Sequence, residues 1–334
     1  MATNRQVLLR TRPDGIPQAA HFEIVERPLP PLAEGRFRLR NAFLSVDPAM
    51  RGWVSAVANY SKPVGLGEVM RSFAVGEVVE SRHPDYAPGE KLVGMFGWQH
   101  FADCAGPEVI RRVRETDLPL SAQLGVLGLN GVTALLGLTR IGEPKAGETV
   151  VVSTAAGSVG ATVGQVAKLL GCRAVGIAGG PAKTRLCLEE FGDDAALDYK
   201  AEADLGAALA AACSDGVHVY FDNTAGRISD AVFPQLATGA RVVICGTASI
   251  PSWDPWPMGP RVERHILVKR ARMQGFLYFD HRDGMEEAIA RLAAWLREGR
   301  LRHREDMLEG LDAAPDAIAG LYRGENLGKR LIRL

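Results

Sequence analysis

The strongest hydrophobic pattern in the chain runs from Thr149 to Cys172. It opens with a β-branched, apolar run over 149–153, which is typical of a parallel strand buried on both faces. A short turn with Gly157 and Gly160 follows, and apolar residues then recur at the helical period as far as Leu170. The pattern predicts a buried strand, a tight turn and a helix in direct succession.

The same alternation continues to about residue 300. The pattern predicts strands near 149–154, 173–178, 195–198, 217–222, 241–245 and 271–278, with helices near 158–170, 182–191, 203–213, 228–237 and 284–297. Six strands joined by crossover helices form a doubly wound parallel sheet, the Rossmann arrangement. A proline-rich stretch from Ile250 to about Arg264 interrupts this alternation and is predicted to be a long loop, of the kind that is usually functional.

The first 120 residues follow another pattern. Short alternating runs are separated by many Pro and Gly residues, which predicts a compact β domain with many turns. A helical period covers 121–137, and the alternating segment 329–334 predicts a last strand that returns to the β domain. At 334 residues the chain suits two domains: a β-rich domain from 1–122 and 304–334, and a nucleotide-binding domain from 123–303. The predicted fold class is therefore α/β.

A strand, a glycine turn and a helix in that order form a phosphate-binding unit. Gly157 allows close approach of a pyrophosphate to the backbone, and the first turn of the helix offers unpaired N–H groups and the positive end of its dipole. Ala155 stands where the common G-x-G-x-x-G pattern has its first glycine. The alternative is a strand-to-helix turn that binds nothing.

The choice of dinucleotide depends on the end of the second strand. NAD-binding sheets usually carry an acidic residue there, about twenty residues after the glycines, to hold the ribose 2′-hydroxyl. Here the strand runs into Gly179 and Gly180 without a carboxylate, and Lys183 and Arg185 follow. Small residues and positive charge suit a 2′-phosphate and predict NADP(H). The alternative is that both cations are only solvated first-turn residues.

Charge and composition exclude several classes of function. Lys plus Arg and Asp plus Glu both number 39, so no basic surplus indicates nucleic acid or an anionic membrane surface. No signal-peptide pattern and no apolar run of about 18 residues is present. The five cysteines are scattered without a C-x-x-C pair, which favours reduced thiols in the cytoplasm over disulfides or a cysteine zinc site.

Several motifs along nearly the whole chain resemble one family. They are Ser45-Val-Asp-Pro-Ala-Met-Arg-Gly52, Val64–Arg71, Thr116–Ser121, Ala155–Gly160, Phe221–Gly226, Cys245-Gly246, Gln274-Gly-Phe276 and Gly324–Lys329. Together they resemble the zinc-free medium-chain dehydrogenase/reductases, in the branch of leukotriene B4 dehydrogenases, prostaglandin reductases and curcumin-reductase-like alkenal/one oxidoreductases. The resemblance implies a GroES-like β domain beside the Rossmann domain, NADP(H), no metal, and a homodimer joined through the dinucleotide domains.

The resemblance also implies roles for single residues. Positions that match the family's cofactor contacts are Gly157, Ser158, Val159, Gly160, Lys183, Tyr199, Asn223, Cys245, Gly246, Thr247, Ser249, Phe276, Leu277, Tyr278 and Asn326, with Asn130 and Thr133 expected near the nicotinamide. Two of them have structural alternatives, since Asn223 could cap a helix and Asn326 could close a turn.

Zinc alcohol dehydrogenases need metal ligands that this sequence lacks, whereas reduction of an activated C=C bond needs only an oriented alkene and donors to the carbonyl oxygen. Tyr60 lies where the family often has a substrate-facing tyrosine, and we expect it to serve as that donor or as a proton source; it could instead be a turn tyrosine. The predicted pocket residues are Met50, Trp98, Trp253 and Trp256, of which Trp98 could equally be core. Ala49 departs from the tyrosine that the family commonly has in S-V-D-P-Y-M-R.

The sequence therefore predicts an NADPH-dependent reductase of α,β-unsaturated aldehydes and ketones, acting on a small hydrophobic conjugated carbonyl compound. Quinone reduction is the alternative with the same hydride geometry. A cofactor-binding protein without catalysis is the alternative from a different class.

Overall fold

The computed structural model describes residues 3–57, 60–251, 253 and 255–334. Contacts within the chain separate two units: the first unit is Met1–Leu124 with Glu305–Leu334, and the second unit is Gly125–Arg304. Each unit has its own buried core. They are described in turn.

The first unit is built on a largely antiparallel sheet. Its strands are β1 (Thr3–Leu9), β2 (Phe22–Pro28), β3 (Phe37–Ser45), β4 (Ala74–Ser81), β5 (Lys91–Gly94), β6 (Phe101–Cys104), β7 (Val109–Arg112), β14 (Glu305–Glu309) and β15 (Lys329–Arg333), and its helices are α1 (Met50–Val54) and α9 (Ala314–Arg323). The main sheet has the order β14-β15-β3-β4-β5-β7, β6 also pairs with β3, and β1 and β2 pair with each other. The predicted last strand is thus hydrogen-bonded to β3, with Leu331 opposite Ser45.

The second unit contains a six-stranded sheet in which all strands are parallel. Its elements are α2 (Leu129–Leu136), β8 (Thr149–Ser153), α3 (Ser158–Leu169), β9 (Arg173–Ala178), α4 (Pro181–Glu189), β10 (Ala195–Asp198), α5 (Leu205–Ala212), β11 (Val217–Asp222), α6 (Gly226–Val232), β12 (Leu236–Ile244), α7 (Glu263–Lys269), β13 (Arg272–Gly275) and α8 (Met285–Arg297). The strand order is β10-β9-β8-β11-β12-β13. This is the order of a Rossmann fold, and the predicted α/β class with a doubly wound sheet is confirmed.

The central strands are buried because their side chains are apolar on both faces. Every residue of β8 is buried, and Val150, Val151 and Val152 have no exposed surface. Parallel strands covered by helices on both sides have this composition. The continuous apolar run at 149–153 is the reason that β8 occupies the middle of the sheet.

Three elements differ from the predicted ones. The helix predicted over 121–137 is divided into a 3₁₀ turn, Leu120–Leu124, and α2, because Gly128 adopts an extended conformation before α2 begins. The helix predicted at 228–237 ends as an α-helix at Val232, where Pro234 introduces a short 3₁₀ turn, and β12 begins already at Leu236. The sequence analysis missed α7, a seven-residue helix whose apolar residues Ile266, Leu267 and Val268 stand in succession and so do not recur at the helical period.

Candidate functional site

The turn after β8 forms the first part of the candidate cofactor site. Thr154 has a positive φ of 52°, and α3 then begins at Ser158 with Gly157 as its N-cap and no side chain capping it. A β-carbon on Gly160 would lie 2.2 Å from the Thr154 carbonyl oxygen, so only glycine allows the helix to start this close to the turn. The result is an uncovered helix N-terminus whose N–H groups can bind a pyrophosphate.

The next part of the site follows β9. The chain passes through Gly179 and Gly180, whose φ is +97°, and α4 starts at Pro181. Lys183 lies in the first turn of α4, and its N–H donates to the Gly180 carbonyl. Tyr199 follows β10, and its hydroxyl oxygen would lie 2.9 Å from a β-carbon on Gly179. Lys183 and Tyr199 therefore both lie beside the glycine turn at the end of β9.

The turn after β11 is organised by a buried carboxylate that the sequence analysis did not select. Asp222 is 1% exposed and accepts hydrogen bonds from the N–H groups of Thr224 (2.9 Å) and Ala225 (2.8 Å) and from the Ser229 hydroxyl (2.5 Å). These bonds hold Ala225 at a φ of 59°, a conformation that costs free energy for a residue with a side chain. The sequence signal that could have indicated this role is an aspartate at the end of a strand, followed by small turn residues.

Asn223 ties the ends of two neighbouring strands together. Its side-chain N–H donates to the Ser153 carbonyl (2.8 Å), and its backbone N–H donates to the Ser153 hydroxyl (2.8 Å). Ser153 ends β8, the strand that leads into the phosphate turn. Asn223 has a structural role here, and a contact with the cofactor remains a prediction.

The loop after β12 packs on that same turn. The N–H groups of Cys245 and Gly246 donate to the Asp222 carbonyl at 2.8 and 3.1 Å, and the Ser249 hydroxyl donates to the carbonyls of Thr224 and Ala225. Burial, with a smaller contribution from Asp222, raises the pKa of the Cys245 thiol to about 12. Cys245 is therefore a neutral thiol at neutral pH. Thr247 lies within the same loop and accepts a hydrogen bond from Ile250.

The last part follows β13. Phe276 is buried, and its ring stacks on His281 at a centroid distance of 4.8 Å. Tyr278 is also buried, and its hydroxyl donates to the sulfur of Met285 at 2.7 Å, whereas Leu277 is exposed. Asn130 and Thr133 lie on α2 and are each 8% exposed.

In the second unit the structure brings most of the predicted cofactor residues together. They follow the carboxyl ends of β8, β9, β10, β11, β12 and β13, and these ends lie on one edge of the parallel sheet. Ligands of doubly wound sheets bind at this edge. Trp253 and Trp256 lie further along the loop after β12, half-buried and 66% exposed respectively.

The other predicted substrate residues, Tyr60, Met50 and Trp98, lie in the first unit. Tyr60 is 53% exposed, whereas Met50 and Trp98 have no exposed surface. The indole N–H of Trp98 donates to the Ser45 carbonyl (3.2 Å), so the structure favours the core interpretation of this residue. Asn326 also belongs to the first unit and donates to the Gly328 carbonyl (2.9 Å), which closes its own turn. Its cofactor contact remains a prediction.

Two further observations concern metals and membranes. Among the described residues, no three or more His, Cys, Asp or Glu side chains are grouped so that they could hold a metal ion. In the same part of the chain, no helix is both long and apolar enough to span a membrane.

Comparison with known proteins shows similarity along the whole chain. Residues 5–111 match a family described as the N-terminal domain of oxidoreductase, and residues 158–294 match one described as zinc-binding dehydrogenase. The chain is 41% identical to the NADPH-dependent curcumin reductase of Escherichia coli, with 99% of this chain and 97% of that protein aligned. It is 34% identical to an NADP(+)-dependent 2-alkenal reductase of Nicotiana tabacum, again over 99% and 97% of the two chains.

A solved structure agrees with these relatives. The crystal structure of CurA from Vibrio vulnificus in complex with NADPH superimposes with a TM-score of 0.91 at 39% identity, and the alignment covers 98% of each chain. The chain thus has the fold of a relative that was crystallised with NADPH.

Proposed function

The chain belongs to the medium-chain dehydrogenase/reductase family, in the branch of the curcumin and 2-alkenal reductases, and we propose that it reduces the C=C bond of α,β-unsaturated aldehydes and ketones with NADPH. One observation carries this proposal: the end-to-end identity of 41% with an NADPH-dependent curcumin reductase. The six strand ends that assemble the candidate cofactor site support it. The enzyme class is an NADP-dependent double-bond reductase.

The cofactor is NADPH, and the second unit is shaped for it. Gly160 admits no β-carbon, so the turn packs closely on the start of α3, and no side chain caps the N–H groups that a pyrophosphate would bind. Lys183 and Tyr199 beside Gly179 suit a 2′-phosphate, since a cation and a hydroxyl group both donate hydrogen bonds to phosphate oxygens. The chemistry that bound NADPH supplies is a hydride for the β-carbon of the alkene.

The protein residues act on the other end of the conjugated system. As the β-carbon accepts the hydride, the π electrons move to the carbonyl oxygen, and the resulting enolate then takes up a proton at the α-carbon. A hydroxyl group that donates to this oxygen stabilises the developing charge. We assign this donor role to Tyr60, whose side chain is 53% exposed and so accessible to a ligand.

Replacing Tyr60 with phenylalanine is expected to lower kcat/KM for enones by about tenfold, which corresponds to about 1.4 kcal/mol of transition-state stabilisation. Steady-state NADPH oxidation with a simple enone measures the change. Tyr86→Phe is the matched control, because the Tyr86 ring packs on Phe37 in the core of the first unit, and its kcat/KM should stay at the wild-type value. An unchanged kcat/KM for Tyr60→Phe would remove the phenol from catalysis.

A panel of acceptors tests the proposed function itself. NADPH oxidation is followed with enals, enones and quinones, and the reduced product is identified by mass spectrometry as the saturated carbonyl compound. Turnover of quinones without turnover of enones would replace the proposal with quinone reduction. Tight NADPH binding without turnover of any acceptor would instead indicate a binding protein.

The proposed function also includes a substrate pocket and a reaction that needs no metal. We assign the pocket wall to Trp253 and Trp256, and Ala49 leaves its own turn in the first unit without the phenol that is common in the family. We place the enzyme in the cytoplasm. The reaction requires no metal ion. Overnight dialysis against a chelator should therefore leave kcat unchanged.

We also propose a homodimer joined through the second unit. β13 is the last strand of its sheet, and all four of its residues are exposed. α7 directly precedes β13 in the chain and has no buried residue; its Leu267 is 76% exposed, and Met258, in the loop before α7, is 98% exposed. An open strand edge with apolar neighbours is suited to continuation of the sheet into a second copy.

The double variant Leu267→Glu/Met273→Glu should be a monomer under conditions in which the wild-type protein is a dimer, because both charges would be buried on association. Light scattering coupled to gel filtration measures the mass. Leu188→Glu is the control, since Leu188 is 44% exposed on α4, away from β13. A dimer that persists in the double variant would place the interface elsewhere.

A further inference from the structure

The residues after β10 fold back over the glycine turn after β9. The N–H of Tyr199 donates to the Ala178 carbonyl (3.1 Å), which places the following residues beside Gly179. A β-carbon on Gly179 would lie 2.8 Å from the Tyr199 ring, 2.9 Å from its hydroxyl oxygen and 3.0 Å from Cε of Lys200. Gly179 is thus the point where Tyr199 and Lys200 meet the end of β9.

A carboxylate from the same segment holds this arrangement. Oδ1 of Asp198 accepts hydrogen bonds from the backbone N–H groups of Gly180 (2.8 Å) and Lys200 (3.0 Å). The Gly180 N–H, with smaller contributions from Lys200 and Ala201, lowers the pKa of the Asp198 carboxyl group. The sequence showed no acidic residue after β9, and the fold supplies one from β10.

This carboxylate creates an electrostatic conflict with the cofactor. An acidic side chain at the adenosine end usually selects NAD and repels the 2′-phosphate of NADP. Lys183, in the first turn of α4, and Lys200, beside Gly179, are the cations placed to offset it. Two cations against one carboxylate leave a net positive charge for a phosphate dianion.

We propose that Lys200 is a second cation of the 2′-phosphate site and that Asp198 is a positioning residue, which holds the backbone of Gly180 and Lys200 while its charge weakens binding of the phosphate. This proposal rests on the cofactor assignment above. It adds Lys200 and Asp198 to the positions that the family resemblance supplied, Lys183 and Tyr199.

Adenine nucleotides that lack the nicotinamide half test Lys200 in the full-length protein. Calorimetric titration with 2′,5′-ADP and with 5′-AMP separates the contribution of the 2′-phosphate from that of the adenosine. Lys200→Gln should weaken 2′,5′-ADP binding about tenfold and leave 5′-AMP binding unchanged, because one charge-assisted contact is lost. Lys145→Gln is the control: Lys145 is an exposed cation in the turn before β8, away from the carboxyl ends of the strands, and its loss should change either affinity less than twofold.

Two substitutions separate the charge of Asp198 from its hydrogen bonds. Asp198→Asn keeps an acceptor oxygen for Gly180 and Lys200 but removes the charge, so 2′,5′-ADP should bind several-fold more tightly. Asp198→Ala removes both, and the released turn should bind 2′,5′-ADP more weakly than Asp198→Asn does. Retained 5′-AMP affinity in each variant shows that the unit is folded.

An equal loss of 2′,5′-ADP and 5′-AMP affinity in Lys200→Gln, or no loss at all, would overturn the role of Lys200. Equal affinities of the two Asp198 variants for 2′,5′-ADP would overturn the positioning role. None of these titrations uses a reducible substrate. The outcome of these titrations is therefore independent of the proposed enone reduction.

Discussion

Replacing Lys329 with methionine is expected to destabilise the first unit by about 3–5 kcal/mol, because it breaks a buried ion pair. Lys329 is 4% exposed and donates to Oδ1 of Asp47 (2.6 Å) and to the Val46 carbonyl (3.1 Å). Burial lowers the pKa of Lys329, while the Asp47 carboxylate acts in the opposite direction. Urea unfolding measures the loss, and hydrogen exchange locates it in β3 and β15.

Two further variants show whether the buried charge is the cause. Arg333→Met removes another cation from β15, but the ion pair of Arg333 with Glu309 is exposed, so the loss should stay below about 1 kcal/mol. The double variant Asp47→Asn/Lys329→Met removes both charges of the pair and should recover part of the stability lost in the single variant. If Lys329→Met were no worse than Arg333→Met, the buried pair would contribute nothing to the fold.

The second large effect is a change of stability with pH that arises from Asp193. This residue is 7% exposed, and its carboxyl group would lie 2.4 Å from a β-carbon on Gly164 and 2.5 Å from one on Gly176. Oδ1 accepts no hydrogen bond from a described group. Burial, together with the charge of Asp194, raises the pKa of Asp193 to about 7.

A raised carboxyl pKa means that the folded protein binds the proton more tightly than the unfolded chain does. The contribution to stability is complete below the unfolded pKa, near 4, and is lost as the pH rises to about 7. The full difference is at most about 4 kcal/mol. Asp193→Asn should therefore raise the melting temperature clearly at pH 8 and change it little at pH 4, as measured by circular dichroism.

The neighbouring aspartate is a matched control of opposite sign. Desolvation acts to raise the pKa of Asp194, but hydrogen bonds from Lys168 (2.6 Å) and from the Ala174 N–H (2.8 Å) outweigh it, and the pKa is lowered. Asp194→Asn should therefore cost stability at pH 8 and less at acid pH. A pH dependence of Asp193→Asn that matched that of Asp194→Asn would contradict the assignment of a neutral, buried Asp193.

Much of the second unit could be predicted because its signals are local. The apolar run at 149–153 and the period of the following helix depend only on neighbouring residues, and they specify β8 and α3. The exception is α7, whose seven residues include none that is buried. A short helix whose apolar residues stand in succession carries no periodic signal.

The candidate site was predicted where its residues follow strands directly, as with Gly157 and Lys183. Asp222 was missed because its importance lies in the hydrogen bonds that it accepts, and these depend on the conformation of the turn. For Tyr60 and Asn326 the sequence suggested roles toward substrate and cofactor, which stay predictions.

The sequence by itself determined the class of fold, the glycine turn between β8 and α3, and the cofactor NADP(H), which was predicted from Lys183 and from the absence of an acid after β9. These features depend on short stretches of chain, whose backbone preferences and periodicity can be recognised without knowing the fold. Only the tertiary structure decided which distant groups share one environment. It placed Asp198 beside Gly180, Asp193 against Gly164 and Gly176, and Lys329 against Asp47. The sequence could not predict these contacts, because charge interactions depend on distance and burial in space and not on separation along the chain.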